Sequence, residues 1–412
     1  MKILIKAATI IDKNGLYHKK KRDILVDKGR IDKIAFSIED PKAKIISIKN
    51  VIACPGFVDM KANFCDPGHE DRETLETGIN AARKGGYRYV MTSPMTSPVV
   101  DSKSQVNYIL SKTTDSDVKI FPVACLSKGA QGKQMSEMFD MWKNGAIAFS
   151  DDMQHVPTEL MVRSLEYSRN FNGMIITYPL DREVNPKGMM HEGNASVQMG
   201  VKGLSNISEE IRIKRDLDLV RYTGGRIHFS LISTAGAVKL IRQAKKEGLN
   251  VTCSIAAHQL SFTDKDLMDF DSLLKVLPPF RTPSDRRELI AGIKDGTIDA
   301  ICSDHQPLTI EQKQLEFEYA DYGISSIQYA FSTFYTQVHD TLSIETIIDK
   351  FTSSPAKVLN LEEYGIYQGS DHGLTLIDIN SEIEVTKEGW ESQSFNSPFL
   401  GKKLKGRIVQ IS

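Results

Sequence analysis

Short apolar runs recur along the middle of the chain and alternate with longer segments in which apolar residues are three or four positions apart. Runs of this length without polar alternation are typical of strands that are buried on both faces of a parallel sheet. Eight of them are predicted to be strands: Phe57–Met60, Tyr89–Thr92, Val118–Ala124, Ala146–Phe149, Met174–Tyr178, Ile227–Ile232, Val251–Ile255 and Asp299–Cys302.

Helices are predicted between most of these strands, at Glu73–Lys84, Asp101–Ser111, Pro157–Asn170, Ser208–Tyr222, Thr234–Glu247 and Ser284–Lys294. Their ends carry helix signals, such as a capping aspartate at Asp101 and a Gly85-Gly86 stop after the first helix. The polar stretch Asp181–Asn206 is predicted to be a loop over one rim. Eight buried strands that alternate with helices predict an α/β protein of the (β/α)₈ barrel type.

Both ends of the chain have a sequence pattern typical of β-strands. Ile24–Ile34 indicates two strands around a Lys28-Gly29 turn, and further short runs follow up to Ala53. Gly373–Asp378 and Leu404–Val409 have the same pattern near the other end. We therefore predict a small β-sandwich domain built from residues 1–54 and 363–412, with the barrel formed by residues 55–362.

Composition narrows the function classes. The 412 residues carry a net charge of −1, so no basic excess indicates a nucleic-acid or membrane-surface partner. No apolar run approaches the ~20 residues that a membrane helix needs, and the first ten residues fit a strand better than a signal peptide. Five cysteines without a Cys-x-x-Cys pair indicate buried, reduced thiols and a cytoplasmic protein.

Functional residues of such barrels lie at the carboxyl ends of the strands. The first predicted strand lies in Pro55–Gly68, which opens on a Pro-Gly break and closes on an Asp-Pro-Gly turn. Comparable motifs follow the later strands. They include Ser93-Pro94-Met95-Thr96, Ala148-Phe149-Ser150-Asp151-Asp152, Pro278-Pro279-Phe280-Arg281 and Ser303-Asp304-His305-Gln306-Pro307.

In order and spacing, these motifs resemble the dihydroorotases, a family of cyclic amidohydrolases, over nearly the whole chain. The resemblance implies an amidohydrolase-type barrel and a role in pyrimidine biosynthesis. In that family two zinc ions activate a water that attacks the carbonyl of a six-membered cyclic amide, and an aspartate after strand eight moves the proton.

Carried over residue by residue, the resemblance places the family's site on changed positions. The four histidine ligands fall on Lys61, Asn63, Tyr178 and Leu231. The bridging carboxylate falls within Asp151-Asp152, and the catalytic aspartate is retained as Asp304. The positions that grip the substrate in the family fall on Cys65, Met95, Leu277 and Leu308.

These replacements remove groups that bind zinc. Leucine offers no ligand atom, a lysine ammonium has donors only, and tyrosine would have to lose a proton with a pKa near ~10. We therefore predict a degenerate metal site and expect no cofactor, although the family uses zinc. We also predict that the Lys61 ammonium takes a metal position and pairs with Asp304, Asp151 or Asp152.

Other chemistry-bearing residues have a more ordinary interpretation. His305 follows Asp304 and could be a base, but a structural histidine at a strand end is favoured, and His228 is expected in the core. His155, His191 and His258 lack ligand spacing and are not expected to rebuild a metal site. Cys65 near His69 could indicate a reactive thiol, but a small residue that fills the space of an arginine is favoured.

Three hypotheses for function remain open. The first is a catalytically inactive dihydroorotase-like protein, a pseudoenzyme with a structural role. The resemblance implies aspartate transcarbamoylase as its possible partner, and a homo-oligomer is expected. The second is an active dihydroorotase that converts carbamoyl aspartate to dihydroorotate at an atypical one-metal or metal-free site. The third is a non-catalytic binder of a small molecule in the emptied pocket.

Overall fold

The computed structural model describes residues 2–410 of the chain. Its strands are β1 (Lys2–Ile10), β2 (Lys21–Asp27), β3 (Arg30–Ala35), β4 (Lys44–Ile46), β5 (Ile52–Pro55), β6 (Phe57–Ala62), β7 (Tyr87–Thr92), β8 (Lys119–Ala124), β9 (Ala148–Phe149), β10 (Met174–Thr177), β11 (Met190–His191), β12 (Gly203–Leu204), β13 (Ile227–Phe229), β14 (Val251–Ala256), β15 (Ala300–Cys302), β16 (Leu374–Glu384) and β17 (Lys403–Val409).

Its α-helices are α1 (Leu75–Lys84), α2 (Lys103–Lys112), α3 (Met138–Lys143), α4 (Thr158–Ser168), α5 (Asn194–Met199), α6 (Asn206–Thr223), α7 (Ala235–Lys246), α8 (Pro283–Lys294), α9 (Ile310–Lys313), α10 (Ala330–Val338), α11 (Ile344–Phe351) and α12 (Ser353–Val358). None of the described helices is both long enough and apolar enough to span a lipid bilayer.

The predicted barrel is confirmed. Every one of the eight predicted strands is found, as β6, β7, β8, β9, β10, β13, β14 and β15, and they pair in this order in one parallel sheet. The last strand returns to the first, because Ala62 and His305 form a parallel bridge. The backbone N–H of Asn63 also donates to the carbonyl of His305 at 2.8 Å.

Alternation along each strand divides the barrel core into two layers. Phe57 and Val90 point outward and pack with the surrounding helices, whereas Val58, Met60 and Met91 point inward and pack with one another. Side chains on both faces of the strands are therefore buried, as expected for a parallel sheet covered by helices. The inner layer ends at the carboxyl ends of the strands, where polar residues begin.

The terminal domain is formed from both ends of the chain, as predicted. One seven-stranded sheet has the order β17-β16-β5-β1-β2-β3, with β4 also paired to β1. The link between the two termini is the antiparallel pair of β5 and β16, which aligns Cys54 with Thr375. The exact boundaries, residues 1–54 and 363–412 for this domain and 55–362 for the barrel, stay a prediction.

Several local predictions were wrong. The segment predicted as a rim loop, Asp181–Asn206, contains the β11–β12 pair and helix α5, elements too short for periodicity to reveal. The N-cap position of helix α2 is Ser102, whose side chain makes no capping hydrogen bond, and the carboxylate of Asp101 accepts instead from the backbone of Gly129 at 2.8 Å. Helices α10 to α12 were not predicted. All five cysteines are buried and free, as predicted.

Two buried lysines fasten the loops that follow β14 and β15 to each other. Lys275 Nζ donates to the carbonyls of Phe317 and Glu318 at 2.7 and 2.9 Å. Lys313 Nζ donates to the carbonyls of Lys275 and Asp321, both at 2.9 Å. The two ammonium groups thus provide donors to the carbonyls of Phe317 and Lys275, which are buried, and to two partly buried ones. They fix the rim of the barrel beside the candidate site.

Between about pH 6.5 and 8.5, the free energy of unfolding should rise with pH by about 2 kcal/mol through Lys313 alone. Burial, and then the nearby Lys275 ammonium, lower the pKa of Lys313 to about 7. In the unfolded chain the value returns to ~10.4, so over this range the unfolded state binds the extra proton and rising pH favours folding. Urea unfolding of the protein and of Lys313→Met at both pH values gives the slope of the free energy of unfolding with pH. The difference between the two slopes is the contribution of Lys313. Lys239→Met, at an exposed helical lysine, should keep the slope; a slope unchanged in Lys313→Met would contradict the prediction.

Candidate functional site

The carboxyl ends of the barrel strands surround a cavity of about 190 Å³. Most of the positions singled out from the sequence converge here. The cavity is lined by Lys61, Asn63, His69, Arg72, Met95, Asp152, Met153, Gln154, Tyr178, Leu277, Asp304, Gln306, Tyr322 and Gly323. A smaller adjoining cavity of about 20 Å³ continues inward past Lys61, Asp152 and Tyr178.

An ion pair occupies the centre of this end of the barrel, which is called the mouth below. Lys61 Nζ lies 2.5 Å from both carboxylate oxygens of Asp152. The two side chains are only 15% and 7% exposed. The hydroxyl of Ser93 donates to the same carboxylate at 2.9 Å. The predicted pairing of Lys61 is therefore made with Asp152 among the three acids considered.

Asp151 is directed away from the mouth. Its carboxylate accepts hydrogen bonds from the backbone N–H and the hydroxyl of Ser127, in the loop after β8. Burial raises the pKa of Asp151, and the bonds from Ser127 oppose that rise. Of the two adjacent aspartates, only Asp152 faces the cavity.

Asp304 is also buried and lines the same cavity as Lys61. Burial raises its pKa to about 8; the Lys61 ammonium opposes the rise, and the carboxylates of Asp152 and Asp59 add to it. Among residues 2–410, the ionisable side chain within 4 Å of its carboxyl group is His258, whose Nε2 lies 3.7 Å from Asp304 Oδ2. The Asp304 carboxyl is therefore largely protonated at neutral pH and can donate a proton or a hydrogen bond.

At the other three positions where the family has histidine ligands, this chain has Asn63, Tyr178 and Leu231, and none of them offers a free ligand atom to a metal. Asn63 Oδ1 accepts from the backbone of Cys65 at 2.9 Å. The hydroxyl of Tyr178 is buried without a hydrogen-bond partner, and burial raises its pKa well above the usual value. Leu231, 1% exposed, packs with Tyr178 and Met60 in the inner apolar layer.

The four substrate positions form a largely apolar rim. Met95 and Leu277 line the cavity, whereas Cys65 and Leu308 are buried beside it. Burial raises the pKa of the Cys65 thiol to about 12, so a reactive thiolate at this position is excluded. None of the four side chains offers a charged group to a ligand.

The histidines fulfil structural roles. His228 is buried in the barrel with its ring nitrogens 2.8 and 3.1 Å from the hydroxyls of Thr252 and Ser254. Burial lowers its pKa to about 3. His305 is held between the backbone of Ser326 and the carboxylate of Glu73. Both assignments made from the sequence thus agree with the contacts.

Three further polar groups belong to the site: Arg72 was not considered from the sequence, and His69 and His258 were weighed only for other roles. Arg72 and His69 reach the cavity from the loop after β6, and Arg72 Nε is buried without a partner. His258 faces Asp304, and neither of its ring nitrogens has a hydrogen-bond partner. Burial lowers its pKa to about 3, so the ring is neutral. Only the closeness of Arg72 to the Asp-Pro-Gly turn could have indicated its position.

The residues at the mouth do not fit a pair of zinc ions. Within residues 2–410, no group of three or more histidine, cysteine, aspartate or glutamate side chains is arranged to hold a metal. Asp152 faces the cavity from the end of β9, and both of its carboxylate oxygens already bind the Lys61 ammonium. Zinc needs deprotonated or neutral ligand atoms that converge tetrahedrally, and Leu231 and Lys61 supply none.

Comparisons with known proteins give one consistent family. Residues 50–237 match the family described as dihydro-orotase-like. The chain is 36% identical to the dihydroorotase of Syntrophus aciditrophicus (strain SB), over 99% of this chain and 97% of that protein. It is 37% identical to the dihydroorotase of Acetivibrio thermocellus, over 98% of this chain and 96% of the relative.

Solved structures agree on the fold. The L-hydantoinase (dihydropyrimidinase) from Arthrobacter aurescens superposes with a TM-score of 0.85, at 21% identity, over 99% of this chain and 93% of that one. A D-hydantoinase superposes with a TM-score of 0.80, at 17% identity, over the same shares of the two chains. At these identities the similarity supports the barrel and the attached sheet domain, and nothing finer.

The expectation that no cofactor belongs to this protein was wrong. The relatives that match over nearly the full length are named dihydroorotase, and that family uses zinc. Zinc is therefore the cofactor associated with the family, and the zinc content of this protein is a quantity to measure. The replaced residues at the mouth alone did not justify the expectation.

Proposed function

The chain belongs to the dihydroorotase family of cyclic amidohydrolases, and we propose that its barrel mouth no longer performs the family's two-zinc hydrolysis. The family assignment supports a dihydroorotase-type function in pyrimidine biosynthesis. Our proposal adds that this member acts there as a non-catalytic protein, with the site rebuilt around an ion pair.

The observation that carries the proposal is the Lys61–Asp152 pair. An amide carbonyl is attacked by water only when the water is activated, and free water has a pKa near ~15.7. Lys61 neutralises the carboxylate that could otherwise accept a proton, and Asp304 holds its own proton because burial raises its pKa to about 8. Neither acid is thus in the state that a general base requires at neutral pH.

The replaced substrate positions support the same proposal. A dihydroorotate-like ligand carries a carboxylate and ring amides, which need charged or polar partners when buried. Met95 and Leu277 present apolar surface to the cavity instead. Loss of hydrolysis alone would leave these binding positions without a reason to change, whereas loss of both binding and hydrolysis removes the constraint on all of them.

A second candidate function is an active dihydroorotase with an atypical one-metal or metal-free site. The names of the relatives favour it, since proteins 34–37% identical over almost the whole chain are called dihydroorotase. The cavity also retains groups that could act on an anionic substrate, namely the cations Lys61 and Arg72 beside Asp304. This candidate therefore needs a direct test against the first.

Steady-state turnover of dihydroorotate and of carbamoyl aspartate, measured with zinc content on the same preparation, separates the two. On our proposal turnover falls more than about a thousandfold below that of a relative with intact histidines, since activation of the water is lost. Any residual turnover of the parent protein should be the same in Asp304→Asn, because turnover that does not depend on Asp304 is background. Turnover that Asp304→Asn abolishes would establish the second candidate, with stoichiometric zinc selecting its one-metal form.

For the non-catalytic role we propose assembly with aspartate transcarbamoylase as its use, and a homo-oligomeric state. The support is the family assignment together with the survival of the whole scaffold around a changed site. Light scattering after size exclusion, of the chain alone and mixed with the aspartate transcarbamoylase of the same organism, measures both. A monomer that does not change elution in the mixture would contradict this assembly role.

A further inference from the structure

A second cleft, of about 690 Å³, lies at the end of the barrel opposite the mouth. It opens at the amino-terminal ends of β10, β13, β14 and β15, between helices α11 and α12 and the terminal domain. Nothing in the amidohydrolase chemistry of the mouth uses this end of the barrel. The cleft is therefore a feature separate from the site described above.

The cleft is strongly cationic, although the whole chain has a net charge of −1. Five cations line it, and two carboxylates accompany them, which leaves a local charge of +3. Lys245 pairs with Asp299 at 2.6 Å and Lys13 with Asp349 at 3.4 Å. The other three cations, Arg226, Lys350 and Lys357, have no carboxylate of residues 2–410 within 4 Å.

Lys350 is the most informative of these cations. The residue as a whole is only 5% exposed, but its ammonium reaches solvent in the cleft and has no hydrogen bond or ion pair to any of residues 2–410. Burial lowers its pKa, and the carboxylates of Asp349 and Asp299 only partly oppose the effect. The Lys350 ammonium is therefore not committed to any protein acceptor and is available to an anion that enters the cleft.

The neighbouring groups add further donors. Arg226 is half-buried and makes a single hydrogen bond, to the carbonyl of Val358, so most of its guanidinium donors are available. Ser353 and Ser354 also line the cleft, and their hydroxyls have no partner among the described residues. Cationic side chains thus outnumber carboxylates in the cleft by five to two, which is the pattern that an anion with several oxygens satisfies.

We propose that this cleft binds a multivalent phosphate anion, a di- or triphosphate such as the phosphate chain of a nucleotide. Three unpaired cations match the charge of such a group, whereas a single carboxylate would leave two of them uncompensated. Guanidinium and ammonium donors are the usual protein partners of phosphate oxygens. The concave shape holds a compact ligand and does not offer the extended basic surface that a nucleic acid requires.

Isothermal titration of the full-length protein with inorganic triphosphate, and separately with ATP, tests the proposal. Both ligands should bind with submillimolar affinity, and sodium sulfate at the same ionic strength should not replace them. Lys350→Met and Lys357→Gln should each weaken binding about tenfold, the effect of losing one charge-assisted hydrogen bond. Lys357 is exposed, so that variant folds even where Lys350→Met does not.

Lys239→Gln is the matched control, because this exposed lysine on α7 lies outside the cleft. It should bind both ligands as the parent protein does. Equal affinity for triphosphate and ATP means that the cleft contacts phosphate only, and tighter binding of ATP means that it also contacts the nucleoside. Failure of both ligands to bind at millimolar concentration, or equal weakening by Lys239→Gln, overturns the proposal.

Discussion

Replacing Lys61 with methionine lowers the free energy of unfolding by about 3 kcal/mol. Within residues 2–410, the substitution removes the one cation bonded to Asp152, whose side chain is 7% exposed, and leaves that carboxylate with the hydroxyl of Ser93. It also removes the positive charge that opposes the raised pKa of Asp304. An uncompensated buried charge destabilises a fold far more than the loss of an exposed pair does. Urea unfolding at neutral pH measures the change.

A double-mutant cycle identifies the cause. Asp152→Asn combined with Lys61→Met should recover most of the lost stability, because the neutral pair leaves no charge to compensate. Lys103→Met is the control: its partner Asp140 lies 3.3 Å away, but both side chains are about half exposed, so the change should stay within about 0.5 kcal/mol. If Lys61→Met leaves the free energy of unfolding unchanged, another cation, such as a metal, compensates the charge of Asp152.

The strands of the barrel could be predicted because their sequence pattern follows directly from burial on both faces. Even β9, which contains only two residues, lies within a predicted apolar run. The terminal domain was also predictable, since its strands alternate. Short elements such as α5 and the β11–β12 pair were missed because six residues or fewer give no measurable period. Their positions depend on contacts with the rim loops.

At the site, sequence reasoning located positions but not directions. Lys61, Tyr178 and Asp304 are fixed to strand ends, so their convergence followed from the fold alone. Adjacent residues such as Asp151 and Asp152 leave the backbone on opposite sides, and the sequence does not show which one faces the cavity. Arg72 reaches the mouth only through the path of its loop, which has no sequence period.

Beneath the changed mouth lies a buried hydrogen-bond network around Glu73 that holds three parts of the chain together. The carboxylate is fully buried and accepts from His305 Nε2 at 3.1 Å and from the backbone of Gln393 at 3.0 Å. The hydroxyls of Thr77 and Ser392 also donate to it. His305 Nδ1 accepts from the backbone of Ser326 at 3.0 Å, so Nε2 carries the proton. Glu73 thus links α1, the end of β15 and the segment before β17.

Substitution of Glu73 by alanine is therefore expected to lower the free energy of unfolding by about 4 kcal/mol, since four donors lose their acceptor and two of them, on His305 and Ser392, are buried. Burial raises the pKa of Glu73, but the bonds from His305, Ser392 and Thr77 outweigh it and the net pKa is lowered. This stabilisation should be lost as the pH falls below the unfolded value near ~4.3, and the loss should be absent from Glu73→Ala. Glu76→Ala, an exposed residue in the first turn of the same helix, should change stability by less than about 0.5 kcal/mol. Equal effects of the two substitutions, measured by urea unfolding, would show that the network does not stabilise the scaffold.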